Sequence, residues 1–431
     1  MNDRLKWIGV AAAAIFCADA FGQSTLTWLD VAPTAVSADG GVVVGNVLAN
    51  SNGNYFNRAS RWTKQHGRQV LPALSAAREA GAYGVSGDGT TTVGWSYADD
   101  GYSRPVLWNV RGELFVIPWP DGYIPAYGIG GNAGYANRVS FDGSRVFGIV
   151  FFFNLCGGST TRAWVWDAER GTQYLEPTPS IRVGNVVRSD DAGGKAVVTG
   201  TLWCGDWSGL SAYRNGTIDL ADGSFVSFSP PLGFTTFSVS YTSRDLTAAV
   251  GWAMINGADD RVAYIHQPPV SFRRVCAASG GGGLLRPLLG PVGADGAWAA
   301  GFGSPDGSSN ATEAVYWTPE RGIFRLTEYL RNTGADVPPG VTLRSVVDAS
   351  ADGLVLVGDS DAGAWMARLQ PVSTCRFDLN FDGVVDDADF TRFVLAYNNV
   401  FDAAADANQD CITDDSDFSP FAVAYDALLC P

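Results

Sequence analysis

Near the carboxy terminus, two stretches of the chain carry oxygen-bearing residues at the spacing that chelates a hard cation. Asp378, Asn380, Asp382, Val384, Asp386 and Asp389 occupy positions 1, 3, 5, 7, 9 and 12 of a twelve-residue loop, the positions from which such loops deliver oxygen to calcium. Asp378, Asn380 and Asp382 offer side-chain oxygens and Val384 its carbonyl. Asp386 offers a direct or water-bridged ligand, and Asp389 closes the loop. Gly383 stands at position 6, where the chain must bend sharply. A second copy follows with Asp406, Asn408, Asp410, the carbonyl of Ile412, Asp414 and Asp417, but with Cys411 at position 6. Forcing a residue with a Cβ to positive φ costs about 1 kcal/mol. The spacing therefore predicts two calcium ions, the second held more weakly.

Other chemistry is sparse. His66 and His266 are the chain's two histidines, which argues against a Ser-His-Asp triad or a histidine-based zinc site. Gly280 to Gly283 lacks the Lys-Ser/Thr of a phosphate loop and reads as a turn between repeats. Paired carboxylates for glycoside cleavage need no sequence motif; Asp99, Asp100, Glu113 and Asp121 are the candidates, set against the commoner role of such residues in solvated loops and turns. Trp95, Tyr97, Trp119, Trp203 and Trp207 are candidates for stacking on sugar rings, set against the commoner role of such residues as core.

The elements around these residues divide the chain. Residues 1–22 read as an export signal: Asp3, Arg4 and Lys6, then an apolar run from Trp7 to Phe16, then small residues before Gln23. The run is too short to span a bilayer, and bulky Phe16 before Cys17 argues against lipid anchoring. The remaining cysteines, Cys156, Cys204, Cys276, Cys375, Cys411 and Cys430, are expected to pair in an oxidising compartment. Cys156 and Cys204 follow equivalent strands of adjacent repeats and are expected to bridge them. Of the net charge of −15, the segment from Cys375 onward carries −10, with 12 Asp against Arg376 and Arg392. An acidic surface repels phosphate backbones, so nucleic acid is not an expected partner. The asymmetry places a boundary near Pro371.

Residues 24–370 read as strands. A Val-rich strand ending in glycine recurs at Gly45, Gly94, Gly148, Gly200, Gly251, Gly301 and Gly358, at spacings of 49, 54, 52, 51, 50 and 57. In the first copy, Ala35–Ser37 and Val42–Gly45 flank Asp39-Gly40, which predicts a type I′ hairpin. Arg58–Trp62 and Gln69–Leu71 supply two further strands. The grammar returns at Ser86–Gly89, Ser140–Gly143 and Ala294–Gly296, and is worn at Ser189–Asp191 and Ser243–Asp245, with Tyr213 and Tyr264 in place of Trp. Four strands in each of seven repeats predict an all-β, seven-bladed β-propeller. The seventh repeat stops after its third strand, Ala364–Leu369, and Ser24–Leu29 is expected to supply the fourth and close the ring. After the boundary, Phe390, Phe393, Val394 and Tyr397, and then Phe418, Phe421, Ala422 and Tyr425, fall at helical spacing behind the two loops. They predict a small α-helical domain over residues 371–431.

The body resembles the extracellular repeats of the HAF family in its Ser-x-Asp-Gly turns, Val-rich strands and Ala-x-x-Trp strands, with Arg58, Arg104 and Arg162 where that family carries His. The resemblance implies fold and location, not an activity. The tail resembles the dockerin type I module, two loop–helix units each closed by Asp. This implies a cohesin-like or cell-surface protein partner, although Asp387-Ala388 and Asp415-Ser416 stand where a recognition Ser-Thr pair is usual. The functional expectation is a secreted, non-catalytic binding or scaffolding protein with a calcium-dependent, dockerin-like attachment module and a polysaccharide as its candidate ligand. The alternatives are a carbohydrate-active enzyme, glycosyl hydrolase or lyase, and a purely structural cell-surface protein.

Overall fold

The structure is a computed structural model describing residues 23–427 except 52–53, 125–132, 154–158, 177–180, 203–213, 255–261, 268–270, 277, 281–282, 305–311 and 399–403. Seven antiparallel sheets follow one another along the chain. The first is built from Ala32–Val36, Val42–Ser51, Asn54–Thr63 and Gly67–Val70, paired in that order, and the pattern repeats to the seventh. There, Leu343–Ala349, Val355–Ser360 and Ala364–Arg368 take their fourth strand from the other end of the chain. Thr25 pairs with Arg368 and Leu29 with Ala364. The expected seven-bladed propeller and its closing strand are both present.

The recurring glycines serve a different purpose from the one their spacing suggested. They lie inside their strands, not at the ends, and face a β-bulge in the neighbouring first strand. In blade 1 the register slips between Pro33 and Ala35 opposite Gly45; in blade 7 it slips between Val346 and Asp348 opposite Gly358. A Cβ on Gly45 would stand 2.0 Å from the Ala32 carbonyl oxygen, and one on Gly358 would stand 1.9 Å from that of Ser345. The repeat thus keeps glycine because a backbone passes too close for any side chain.

The Ser-x-Asp-Gly turns are also not type I′, which needs two successive residues at positive φ; that geometry is found at Asp295-Gly296, φ +49° and +66°, where Gly293 replaces the serine. In the blade 1 turn only Gly40 has positive φ, +72°, because Asp39 is held by its side chain. Ser37 Oγ donates to Asp39 Oδ1 at 2.6 Å, the same oxygen accepts from Gly41 N–H at 2.8 Å, and Ser37 Oγ accepts from Val42 N–H at 2.9 Å. The set recurs at Ser86/Asp88, Ser140/Asp142 and Ser350/Asp352. It recurs also at Ser243/Asp245, a copy that looked worn in sequence; there Leu246 takes the glycine position at φ +59°.

Turn binds turn around the axis. Ala351 N–H donates to Ala38 O, Ala38 N–H to Gly87 O, Asp88 N–H to Phe141 O and Phe141 N–H to Asp191 O, at 2.8 to 3.2 Å. Between blades, the third-strand tryptophans are core: Trp108, Trp164 and Trp365 are fully buried.

A short helix, α1 (Leu326–Asn332), follows blade 6 and buries Leu326, Tyr329 and Leu330. Helices α2 (Asp387–Tyr397) and α3 (Asp415–Ala427) form the tail. Their shared core is narrower than the aromatic spacing implied. Phe393 and Phe421 stack at 4.0 Å, backed by Ala396 and Ala424, while Phe390, Val394 and Phe418 are left exposed. Gly280 and Gly283 face each other at the tip of a short hairpin before blade 6. Among the described residues no helix is long and apolar enough to cross a membrane.

Candidate metal centre

The two acidic loops fold bond for bond alike. In the first, Asp378 accepts Asp382 N–H at 3.0 Å and Gly383 N–H at 3.1 Å; in the second, Asp406 accepts Asp410 N–H at 3.1 Å and Cys411 N–H at 3.0 Å. Asn380 and Asn408 oxygens accept from Asp382 and Asp410, and those carboxylates accept in turn from Val384 and Ile412. Asp389 folds back onto the N–H groups of Asn380 and Asp386, and Asp417 onto those of Asn408 and Asp414. Asp386 caps α2 in a capping box with Asp389, and Asp414 likewise accepts from Ser416 N–H, so each closing carboxylate is fixed by the helix start behind it.

Every donor in this network is a backbone N–H or an Asn amide, so each loop gathers carboxylates whose charge it does not neutralise. Asp378, Asp389, Asp406 and Asp417 are all at most 2% exposed. The carboxylate oxygens of Asp378, Asp382 and Asp389 lie within 4.8 Å of one another, a set that could hold a metal ion. Burial pushes the carboxyls of Asp378, Asp389 and Asp406 above the usual range, and neighbouring carboxylates push the same way. Buried like charges at this separation call for a cation. Val384 and Ile412 keep the position-7 backbone in both copies and have exposed side chains.

The loops' other side is turned against the propeller, a feature that comparing the two copies did not reveal. Arg321, in the last turn of blade 6, is buried and donates to the Asp378 carbonyl. Its guanidinium lies 4.1 Å from the Phe381 ring. Burial draws Arg321 down to about 10, against the pull of Asp378. Phe381 packs edge-on to Tyr329 at 4.9 Å and beside Phe324 at 5.3 Å. Arg376 donates to the Asp406 carbonyl and to Glu320 O, and Gln409 Nε2 donates to Pro319 O at 2.5 Å. Phe381 and Gln409 share position 4 of their loops and both have positive φ, +64° and +61°.

Cys411 explains its own intrusion at position 6. It adopts φ +71° and is disulfide-bonded to Cys276, which follows the last strand of blade 5, 135 residues earlier. The residue that breaks the loop pattern is the one that ties the tail to the ring. Cys375 is also disulfide-bonded. The expected Cys156–Cys204 bridge lies outside the described residues, as do Trp203, Trp207 and Tyr213.

The remaining candidates are dispersed. Asp100 pairs with Arg104, and Glu113 accepts from Asn109 Nδ2 at 2.6 Å; Asp99 and Asp121 stand exposed in turns. Trp95 packs against Tyr97, and Trp119 against Tyr123, with ring centroids 5.3 and 5.0 Å apart. His266 is buried, stacked on Phe272 at 4.2 Å, while His66 sits at an exposed turn beside Thr63.

No family model and no curated sequence matches the chain. Among solved structures it is similar to an oligogalacturonate lyase in complex with manganese, at 15% identity and a TM-score of 0.50, covering 81% of this chain and 91% of that one. It is also similar to the oligogalacturonate lyase of Vibrio parahaemolyticus, at 14% identity and a TM-score of 0.51, covering 81% and 92%. At these identities the likeness is one of fold.

Proposed function

We propose that this is a secreted binding or scaffolding propeller whose tail is a two-site calcium module of dockerin type. The observation that carries the reading is the gathering of buried, unneutralised carboxylates in both loops, each held by the start of a helix. Asp378, Asn380, Asp382, Val384, Asp386 and Asp389 would hold one ion. Asp406, Asn408, Asp410, Ile412, Asp414 and Asp417 would hold the other. An all-oxygen donor set is the chemistry of a hard cation. Calcium cancels the repulsion that folding imposes on these carboxylates, so occupancy and folding of the tail are one equilibrium.

The disulfides support an oxidising, extracellular location. The seam with blade 6 sets the polarity of attachment. Because the loop face is taken up by the propeller, a cohesin-like or cell-surface partner would meet the outer side of α2 and α3, where Phe418 and Val423 are 45% and 69% exposed. A polysaccharide is the ligand class we assign to the propeller.

The test is calorimetric titration of the full, oxidised chain with calcium after chelation. Two bound ions, with one lost in Asp389→Ala and the other in Asp417→Ala, are expected. A chain that takes up no calcium, or that binds it equally well in both variants, refutes the reading.

A further inference from the structure

A bulge in each inner strand also turns one residue toward the propeller axis; in six blades it is the bulge facing the recurring glycine, and in blade 4 it is a second slip, opposite Val198 and Val197. In blades 1, 2 and 6 that residue is small or apolar: Ala35, Gly84 and Val292. In blades 3, 4, 5 and 7 it is not: the register slips just before Arg138, Arg188, Tyr241 and Asp348. Arg244, from the turn of blade 5, joins them. Two cavities that share Arg188, Asp191 and Arg244 open here on the side of the Ser-x-Asp turns. The larger is about 140 Å³ and reaches Trp298 and residues 349–351, room for several waters or a small organic acid.

The charges at this point are not paired with one another. Neither Arg188 nor Arg244 has a carboxylate within ion-pair distance among the described residues. Each guanidinium spends one N–H on a carbonyl, Arg188 on Thr242 O at 3.4 Å and Arg244 on Val36 O at 3.1 Å. The nearby carboxylates are committed elsewhere. Asp348 is buried with one oxygen accepting Val36 N–H at 2.9 Å and the other Tyr241 O–H at 2.7 Å. Asp245 is engaged by Ser243 and Thr247; Asp191 lines both cavities and its charge is favoured by Arg244 and Arg188, though it makes no ion pair with either. Arg188 lies 5.1 Å from the Tyr241 ring, which fixes its plane. Burial and then the neighbouring Arg188 work against the charge on Arg244, while Asp348 and Asp191 favour it. Two neighbouring half-buried guanidinium groups, with no carboxylate in ion-pair contact, thus turn donors toward one cavity, where an anion would complete their shell.

We infer that the axial cavity between Arg188 and Arg244 is a binding site for a carboxylate, entered from the face that carries the Ser-x-Asp turns. The site is independent of the calcium module; it lies on the ring axis, whereas the module sits on the outer turn of blade 6. Arg188 and Arg244 supply the donors, and Asp348, through Tyr241, holds the wall beside them.

The experiment is thermal unfolding and calorimetric titration of the full oxidised chain, calcium-loaded, in low-chloride buffer, with sodium acetate in one arm and sodium sulfate in the other. Acetate is expected to raise the melting temperature saturably, with affinity falling at least tenfold in Arg188→Gln and in Arg244→Gln. Without added anion, Arg188→Gln is expected to melt no lower than the parent, since it relieves the repulsion between neighbouring guanidinium groups. This also reports that the variant folds. Should either glutamine variant fail to fold, Arg188→Lys keeps a cation without the planar fork, and a loss of affinity at constant anion-free melting temperature carries the same information. A saturable response to sulfate but not acetate overturns the assignment of a carboxylate. An acetate response that is absent, or unchanged in the variants, overturns the site.

Discussion

Replacing the Cys276–Cys411 pair in two ways separates what the disulfide does for the second acidic loop from what it does for the fold. In Cys276→Ser/Cys411→Ser the tether is gone, but a residue with a Cβ still occupies position 6 of loop two at a φ near the observed +71°. In Cys276→Ser/Cys411→Gly the tether is gone and the strain is relieved. The conformational difference is about 1 kcal/mol, which is roughly fivefold in calcium affinity. Loop two of the glycine variant is therefore expected to bind calcium about fivefold tighter than that of the serine variant, with loop one unchanged in both. In the parent chain the bond to Cys276 already holds Cys411 in the required conformation, so its loop two is expected to bind no more weakly than that of the serine variant. The fold responds separately. The closed ring spans 135 residues, and its loss costs about 5 kcal/mol by chain entropy. With an unfolding entropy of roughly 2.1 cal/mol/K per residue over about 400 residues, that is a fall of about 6 °C, and about 5 °C for the glycine variant. Titration calorimetry resolves the first effect and scanning calorimetry at saturating calcium the second. Equal loop-two affinities in the two variants would falsify the strain account, and an unchanged melting temperature would refute the tether.

Three further outcomes follow from the seam and the turns. Arg321→Met removes a buried cation that faces Asp378 and donates to its carbonyl; with the carboxylates left uncompensated, about 3 kcal/mol is expected to be lost in chelator and clearly less with calcium bound, read by denaturant unfolding in both conditions. Ser140→Ala deletes the hydroxyl that joins Asp142 to Arg145 N–H and is expected to cost about 1–2 kcal/mol, whereas Ser144→Ala, whose hydroxyl reaches only Asp142 at the surface, is expected to cost less in the same melt. The hydroxyl of Ser37 and the N–H of Gly41 hold the Asp39 carboxyl below its usual 3.8. A depressed folded-state value means stability that is complete above pH 3.8 and lost as pH falls through the lower value, so Asp39→Asn is expected to flatten that limb of the acid-unfolding curve.

The ring was legible in the sequence because its period is a backbone matter. Strand and turn residues recur about every 50 positions, and the open third strand at Ala364 needs a partner that Thr25–Leu29 can supply. What the period hid was the reason for its own glycines. Nothing in Val-Val-Val-Gly distinguishes a strand end from a strand interior opposite a bulge, since the bulge lies in a different strand. The Ser-x-Asp turn was misread for a related reason: Asp-Gly is the commonest hairpin signal, but here the serine two residues earlier captures the aspartate side chain and fixes another turn. At Ser243 that hydroxyl is enough to keep the turn without any glycine.

The loops show the same division from the other direction. Their candidate ligands could be named by residue number because the two copies agree. The residues that dock them could not, because the copies disagree there: Phe381 against Gln409, Gly383 against Cys411. In a tandem repeat each copy folds alike, so its shared residues report the fold, and a residue that differs answers to something only one copy touches. Phe381 meets Tyr329 and Phe324, Gln409 meets Pro319, and Cys411 meets Cys276. The seven blades obey the same logic at the bulge, where small and apolar residues give way to Arg138, Arg188, Tyr241 and Asp348. Conformational need would select one residue type at all seven positions. That four of them depart toward charge and hydrogen bonding, and that they converge on one cavity, is what the proposed carboxylate site accounts for and blade conformation alone does not.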